Sequence, residues 1–117
     1  MADAPRRLEV CRTAILKRDF EAFAEIVELD SNLMHAGMMT STPPLFYWQE
    51  ATLAVMRAVR EGRSKGVPAC ATIDAGANVH VICEQAHAER VTRLLRGLRG
   101  VRKVLAARPG GPARLVE

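Results

Sequence analysis

The sequence predicts an α+β domain, with helices packed on one face of a small antiparallel sheet, and three observations lead there. In the first half, apolar residues recur every three or four positions, the spacing of a helix face. In the second half, two short runs rich in valine, isoleucine and alanine flank a five-residue turn, which reads as a hairpin. A further helical pattern follows, so the order is three helices, a hairpin, a helix and one or two strands. At 117 residues and 49% hydrophobic content, the chain has enough for one modest core. Only 4% of it is aromatic, so that core rests on Leu, Val, Ile, Ala and Met.

The first helix is expected over residues 5–18, with Leu8, Cys11 and Ile15 inward. Asp19 then reads as the cap of a second helix. Its inner face is Phe23, Ile26, Val27, Asp30, Leu33, Met34 and Gly37. Asp30 within that stripe must be paired or face a cleft, because an unpaired buried charge is costly. A structural role, such as bonding a neighbouring backbone, is the expectation for it. Pro43 and Pro44 end that helix and open a third, expected over 45–61, with Trp48, Thr52, Val55, Met56 and Val59 inward and Gly62 and Gly66 closing it.

Residues 67–73 form the first strand candidate and 79–83 the second, with Val79, Val81 and Cys83 on one face and His80 on the other. A fourth helix over 84–98 turns Val91, Leu94, Leu95 and Leu98 inward, and 101–107 reads as a third strand. After a turn at 109–112, Leu115 and Val116 suit a last short pairing. The sheet looks thin for four helices, as if a strand were missing at the front.

Composition narrows the function classes. No apolar run approaches bilayer length, and Met1 to Arg7 leads directly into a charged amphipathic pattern, so the cytoplasm is the expected compartment and no membrane partner is implied. Cys11, Cys70 and Cys83 are odd in number and lack zinc spacing, which points to buried free thiols and no metal site. The net charge is +4, and eight of the 17 basic residues fall between Arg90 and Arg114. Arg90, Arg93 and Arg96 recur every third residue, yet no recognition motif or stacking aromatics accompany them, so they read as a solvated face and not as a nucleic-acid surface.

One loop offers chemistry. Asp74 stands at a strand end and is followed by Ala75, Gly76, Ala77 and Asn78. Small residues let a ligand approach the backbone, and a strand-end carboxylate can serve as a base or orient a hydroxyl. The same residues also make ordinary hairpin turns. His35, His80 and His87 have no partner at ligand spacing, and Ser31, Ser41 and Ser64 lack a nucleophile context. No phosphate-cradling glycine loop is present, so a complete ATP-using enzyme is not contained in these residues.

Three segments carry a resemblance. Residues 28–36, ELDSNLMHA, are followed by Thr42-Pro43-Pro44-Leu45-Phe46-Tyr47-Trp48; then comes Thr72-Ile73-Asp74-Ala75-Gly76-Ala77-Asn78-Val79, and near the end Arg108-Pro109-Gly110-Gly111-Pro112-Ala113-Arg114-Leu115-Val116. In this order they resemble the C-terminal domain of mevalonate diphosphate decarboxylases, members of the GHMP kinase superfamily, over essentially the whole chain. Ala77 stands where that family usually has proline. The resemblance implies a GHMP-type C-terminal domain spanning 1–117, with its first strand and its N-terminal ATP-binding domain missing, so that the chain is a fragment and inactive alone. It implies ATP and Mg2+ as cofactors of the full-length enzyme, none bound by these residues, and mevalonate diphosphate as substrate. It gives Asp74 the role of orienting or deprotonating the substrate's 3-hydroxyl, with the Ala75 and Gly76 backbone against the substrate. The missing strand would leave an open sheet edge that self-association covers, making a homo-oligomer, specifically a homodimer. A sibling acting on the monophosphate, a related kinase, and a non-enzymatic dimerising or ligand-binding module remain open alternatives.

Overall fold

The computed structural model describes residues 3–116; Met1, Ala2 and Glu117 lie outside the described residues, and with them the start of the charged N-terminal stretch. The elements are α1 (Ala4–Lys17), α2 (Phe20–Met39), α3 (Glu50–Ser64), β1 (Ala69–Ile73), β2 (Val79–Cys83) and α4 (Ala88–Arg96), the last entered through a 3-10 turn over Gln85–His87. The strands pair antiparallel, from Ala69 opposite Cys83 to Ile73 opposite Val79, so Asp74 to Asn78 is the hairpin loop. The α+β class and the hairpin are those expected, with the first strand beginning at Ala69 and not at residue 67.

Local chemistry sets the boundaries. Asp19 caps α2 as its type suggests, accepting the Ala22 N–H at 3.1 Å through Oδ1. Arg18 closes α1 in the left-handed region, at φ 54°. Thr52 accepts the Gln49 N–H at 3.0 Å and so starts α3. Gly66, at φ 91°, turns the chain from α3 toward β1.

The core lies between the hairpin and two helices. Val55 and Val59 of α3 and Val91 and Leu95 of α4 are buried against Ala69 and Ala71, with Val79, Val81 and Cys83 packed at the margin. Each such aliphatic side chain contributes roughly 1.5–3 kcal/mol when fully buried. His80 and Ile82 point to the opposite, exposed side of β2, as the alternation requires.

Helix α2 packs against β1 and departs most from the sequence reading. Its buried residues are Ala24, Ile26, Ser31 and His35, whereas Leu33 and Met34 are 38% and 37% exposed. The helix is rotated because it borders the free edge of β1, where bare peptide groups need polar side chains. Asp30 therefore faces outward and pairs with Arg7, whose Nε lies 2.8 Å from its Oδ1. That pairing also rotates α1. Arg7 and Ala14 are buried, and Leu8 and Ile15, expected inside, are 72% and 58% exposed.

Three further expectations fail. Residues 45–49 are not helical: Trp48, expected in the α3 stripe, packs with Tyr47 on His35 instead. No strand forms over 101–107; Gly100, at φ 90°, passes so close to α3 that a Cβ there would lie 3.0 Å from that of Ala51. The chain beyond it packs Val101 and Val104 onto the core without pairing to β2. Leu115 and Val116 are 98% and 90% exposed and pair with nothing in the sheet.

Candidate functional site

The loop that closes the hairpin brings Asp74, Ala75, Ala77 and Asn78 to the surface, with Gly76 half-buried. The Asp74 carbonyl accepts the Gly76 N–H at 2.9 Å, which folds the first turn of the loop. Gly76 does not have a positive φ, and a Cβ there would meet nothing within 4 Å. The backbone conformation at Gly76 is therefore one that other residues also adopt. Nothing in the domain's own packing requires this loop residue to be small, which leaves open space beside the Asp74 strand end.

What holds that strand end is a polar stripe on α2. Ser31 Oγ accepts the Ile73 N–H at 3.0 Å and donates back to the Ile73 carbonyl at 3.3 Å. The same carbonyl lies 2.8 Å from His35 Nε2. A carbonyl oxygen only accepts, so the hydrogen sits on Nε2. Ser31 and His35 are 4% and 1% exposed, and Trp48 covers the imidazole with its ring centroid 5.2 Å away. The Trp48 Nε1–H is itself buried without a partner among the described residues.

One turn earlier on α2, Glu28 accepts the Ala71 N–H at 3.3 Å and two bonds of 2.8 Å from the Arg63 guanidinium. Arg63 also donates to the Ala69 carbonyl at 2.8 Å. This Glu28 bond holds the already high Arg63 pKa higher still, against the opposing effect of burial. Glu28, Ser31 and His35 thus take the place of a neighbouring strand along β1. The sequence does carry a signal for them, spacing of i, i+3 and i+7 on one helix face, which a search for apolar periodicity passes over.

The other candidates do not converge. His80 lies on the exposed face of β2 opposite Thr72, with no side-chain hydrogen bond to Asp74 among the described residues, and Ser64 bonds the Glu61 carbonyl at 2.6 Å within α3. Cys11, Cys70 and Cys83 are free thiols, with Cys70 buried and the other two half-buried. Among the described residues, no three His, Cys, Asp or Glu side chains come together to hold a metal. No described helix is long and apolar enough to cross a membrane. Arg90, Arg93 and Arg96 are exposed on α4, opposite the buried Val91 and Leu95. Two surface grooves, one apolar beside Phe20 and Phe23 and one polar beside Glu25 and Arg60, do not include Asp74.

The sequence and the fold also match known proteins. A family described as the mevalonate 5-diphosphate decarboxylase C-terminal domain matches residues 2–108. A diphosphomevalonate decarboxylase of Candida albicans is 36% identical over 91 residues, covering 78% of this chain and 25% of that protein. A phosphomevalonate decarboxylase of Haloferax volcanii is also 36% identical, over 92 residues, covering 78% and 28%. The solved mevalonate diphosphate decarboxylase of Enterococcus faecalis, described for its mevalonate-diphosphate-mediated binding of ATP, superposes with a TM-score of 0.77 at 32% identity. That match covers 85% of this chain and 31% of the other. The chain therefore spans about a quarter to a third of the length of these relatives.

Proposed function

The chain belongs to the family of mevalonate 5-diphosphate decarboxylase C-terminal domains, and on that premise we propose that it supplies the catalytic aspartate of an ATP-dependent decarboxylase converting mevalonate diphosphate to isopentenyl diphosphate. The observation that carries this is Asp74. It is exposed at the end of a strand whose last residue is bonded from a helix, beside Ala75 and a Gly76 that internal packing does not require to be small.

In the proposed reaction the tertiary 3-hydroxyl is phosphorylated, with ATP as donor, and phosphate and carbon dioxide then leave. Asp74 orients that hydroxyl or accepts its proton, and the backbone of Ala75 and Gly76 lies against the substrate. The described residues offer no cluster fit to hold magnesium, and the sequence has no phosphate-cradling loop. Nucleotide, Mg2+ and the substrate phosphates are thus assigned to a separate ATP-binding domain, and no step on this chain runs through the metal. Residues 1–117 act as one cytoplasmic C-terminal domain, inactive alone.

The test is ATP-dependent carbon dioxide release from mevalonate diphosphate by the longest natural polypeptide carrying these residues. Asp74→Asn is expected to lower turnover by at least about 100-fold with the fold retained, the scale of losing a positioned acid–base group. The 117-residue chain alone is expected to release none. Unchanged turnover would leave Asp74 a turn residue, and an inactive parent would favour a non-enzymatic module. A second reading, decarboxylation of the monophosphate, is favoured by the match to the Haloferax volcanii protein; comparing both substrates in the same assay separates the two.

A further inference from the structure

We propose that Ser31 and His35 are positioning residues for Asp74, setting the direction of its carboxylate through the peptide group that joins Ile73 to Asp74. This rests on the role of Asp74 given above and adds two residues to the machinery.

The bonds are concentrated at one residue. Along the border of β1, the Ala69 carbonyl receives Arg63 and the Ala71 N–H reaches Glu28, one side-chain partner each. Ile73 alone is held at both its N–H and its carbonyl, and its carbonyl by two donors. Closing a sheet border does not need that redundancy. Its effect falls on the next residue. The Ile73 carbonyl and the Asp74 N–H belong to one planar peptide unit, so fixing the carbonyl direction fixes the line along which the chain enters the Asp74 Cα. No side-chain hydrogen bond or ion pair of the described residues involves the Asp74 carboxylate, so its aim depends on that entry line and on its own χ angles.

The clamp is also built to stay dry. Burying a hydroxyl or an imidazole is costly unless its polar atoms are bonded. Ser31 and His35 are nevertheless almost fully buried, and among the described residues their side-chain hydrogen bonds go only to Ile73. Tyr47 and Trp48, drawn out of the following helix, pack on the imidazole at centroid distances of 6.4 and 5.2 Å. The rings limit the swing of His35, and hence of the carbonyl it holds.

The experiment measures steady-state kinetics of the longest natural polypeptide carrying these residues, with Ser31→Ala and His35→Phe as deletions and Ser31→Thr and His35→Gln as variants that keep a donor. The deletions are expected to lower kcat about 10- to 100-fold, the scale of a misplaced catalytic group, with KM for both substrates within about twofold. Ser31→Thr and His35→Gln are expected to recover most of that loss. In single-turnover measurements on an Asp74→Asn background, Ser31→Ala is expected to cause no further loss, because two residues acting as one unit are not additive. If the deletions lower only the unfolding midpoint and leave kcat unchanged, the clamp is structural and the proposal fails. An equal further loss in the Asp74→Asn background overturns it as well. Should His35→Phe fail to fold, Ser31→Ala decides alone. Full turnover in Asp74→Asn would instead overturn the catalytic reading itself, which the same series detects separately.

Discussion

Cys70 shows how one buried atom sets a pH limit. Its side chain is fully buried in β1, and burial pushes the thiol from its ordinary 9.0 up to about 12, with Glu28 adding to the rise and Arg63 opposing it. A raised folded value means that the native state keeps a proton the unfolded chain releases. The contribution is therefore fully present below pH 9.0 and lost as pH rises toward 12. Its expected slope is at most about 1.4 kcal/mol for each pH unit in that window. Urea unfolding of the parent and of Cys70→Ala at several alkaline pH values checks this. The variant starts less stable at pH 8, and its deficit should shrink as pH rises above 9; a constant deficit would contradict the account. The burial of Cys70 was legible in the sequence, since a thiol inside a strand of small apolar residues has nowhere polar to go. The outward turn of Asp30 was not, because its partner Arg7 lies 23 residues away on another helix.

At the scale of elements, α2 and α3 meet β1 through Arg63. Its side chain is 9% exposed, bidentate to Glu28 and bonded to the Ala69 carbonyl. Arg63→Ala leaves Glu28, itself 19% exposed, without its cation, and strips a strand carbonyl of its donor. The expected cost is about 2–4 kcal/mol in chemical unfolding. Arg63→Lys should retain only part of the stability, since an ammonium does not reproduce the planar fork. A loss within experimental error for Arg63→Ala would show that the pair is replaced by water. Periodicity and turn chemistry reveal the hairpin because both are local: strand alternation and a five-residue loop fix the register. They miss which side of α2 turns inward. The apolar stripe through Leu33 and Met34 suggests one face, but the border of β1 selects the polar one, and Ser31 and Ile73 are 42 residues apart. The expected third strand is lost for a similar reason. Alternation over 101–107 says nothing about Gly100, whose turn past Ala51 takes the chain off the line of β2.

For the whole molecule, the two borders of the sheet differ. That of β1 is closed by Arg63, Glu28, Ser31 and His35. That of β2 receives no backbone bond from any loop or turn among the described residues. Leu8, Ile15 and Leu16 add apolar exposure on α1, at 72%, 58% and 74%. An open strand and an uncovered helix face both favour association, so the proposed homo-oligomer belongs to this scale. Light scattering on the isolated chain is expected to give a mass of at least twice the 12.8 kDa protomer. A monodisperse monomer at tens of micromolar would refute the oligomer. The sequence showed that the sheet was thin, and it supplied the motif order that identifies the family. It did not show which border was open, because that depends on the rotation of α2.

A strand holds its neighbour through peptide groups, which every residue carries, so its side chains are free to drift. A helix in the same place holds its neighbour through side chains alone. The border of β1 is therefore specified by the identities of Glu28, Ser31, His35 and Arg63, and a change at one is felt at a peptide group that no mutation can supply from the other side. Variation at these four positions is expected to be coupled, although Ser31 and His35 lie 42 and 38 residues from the Ile73 they hold.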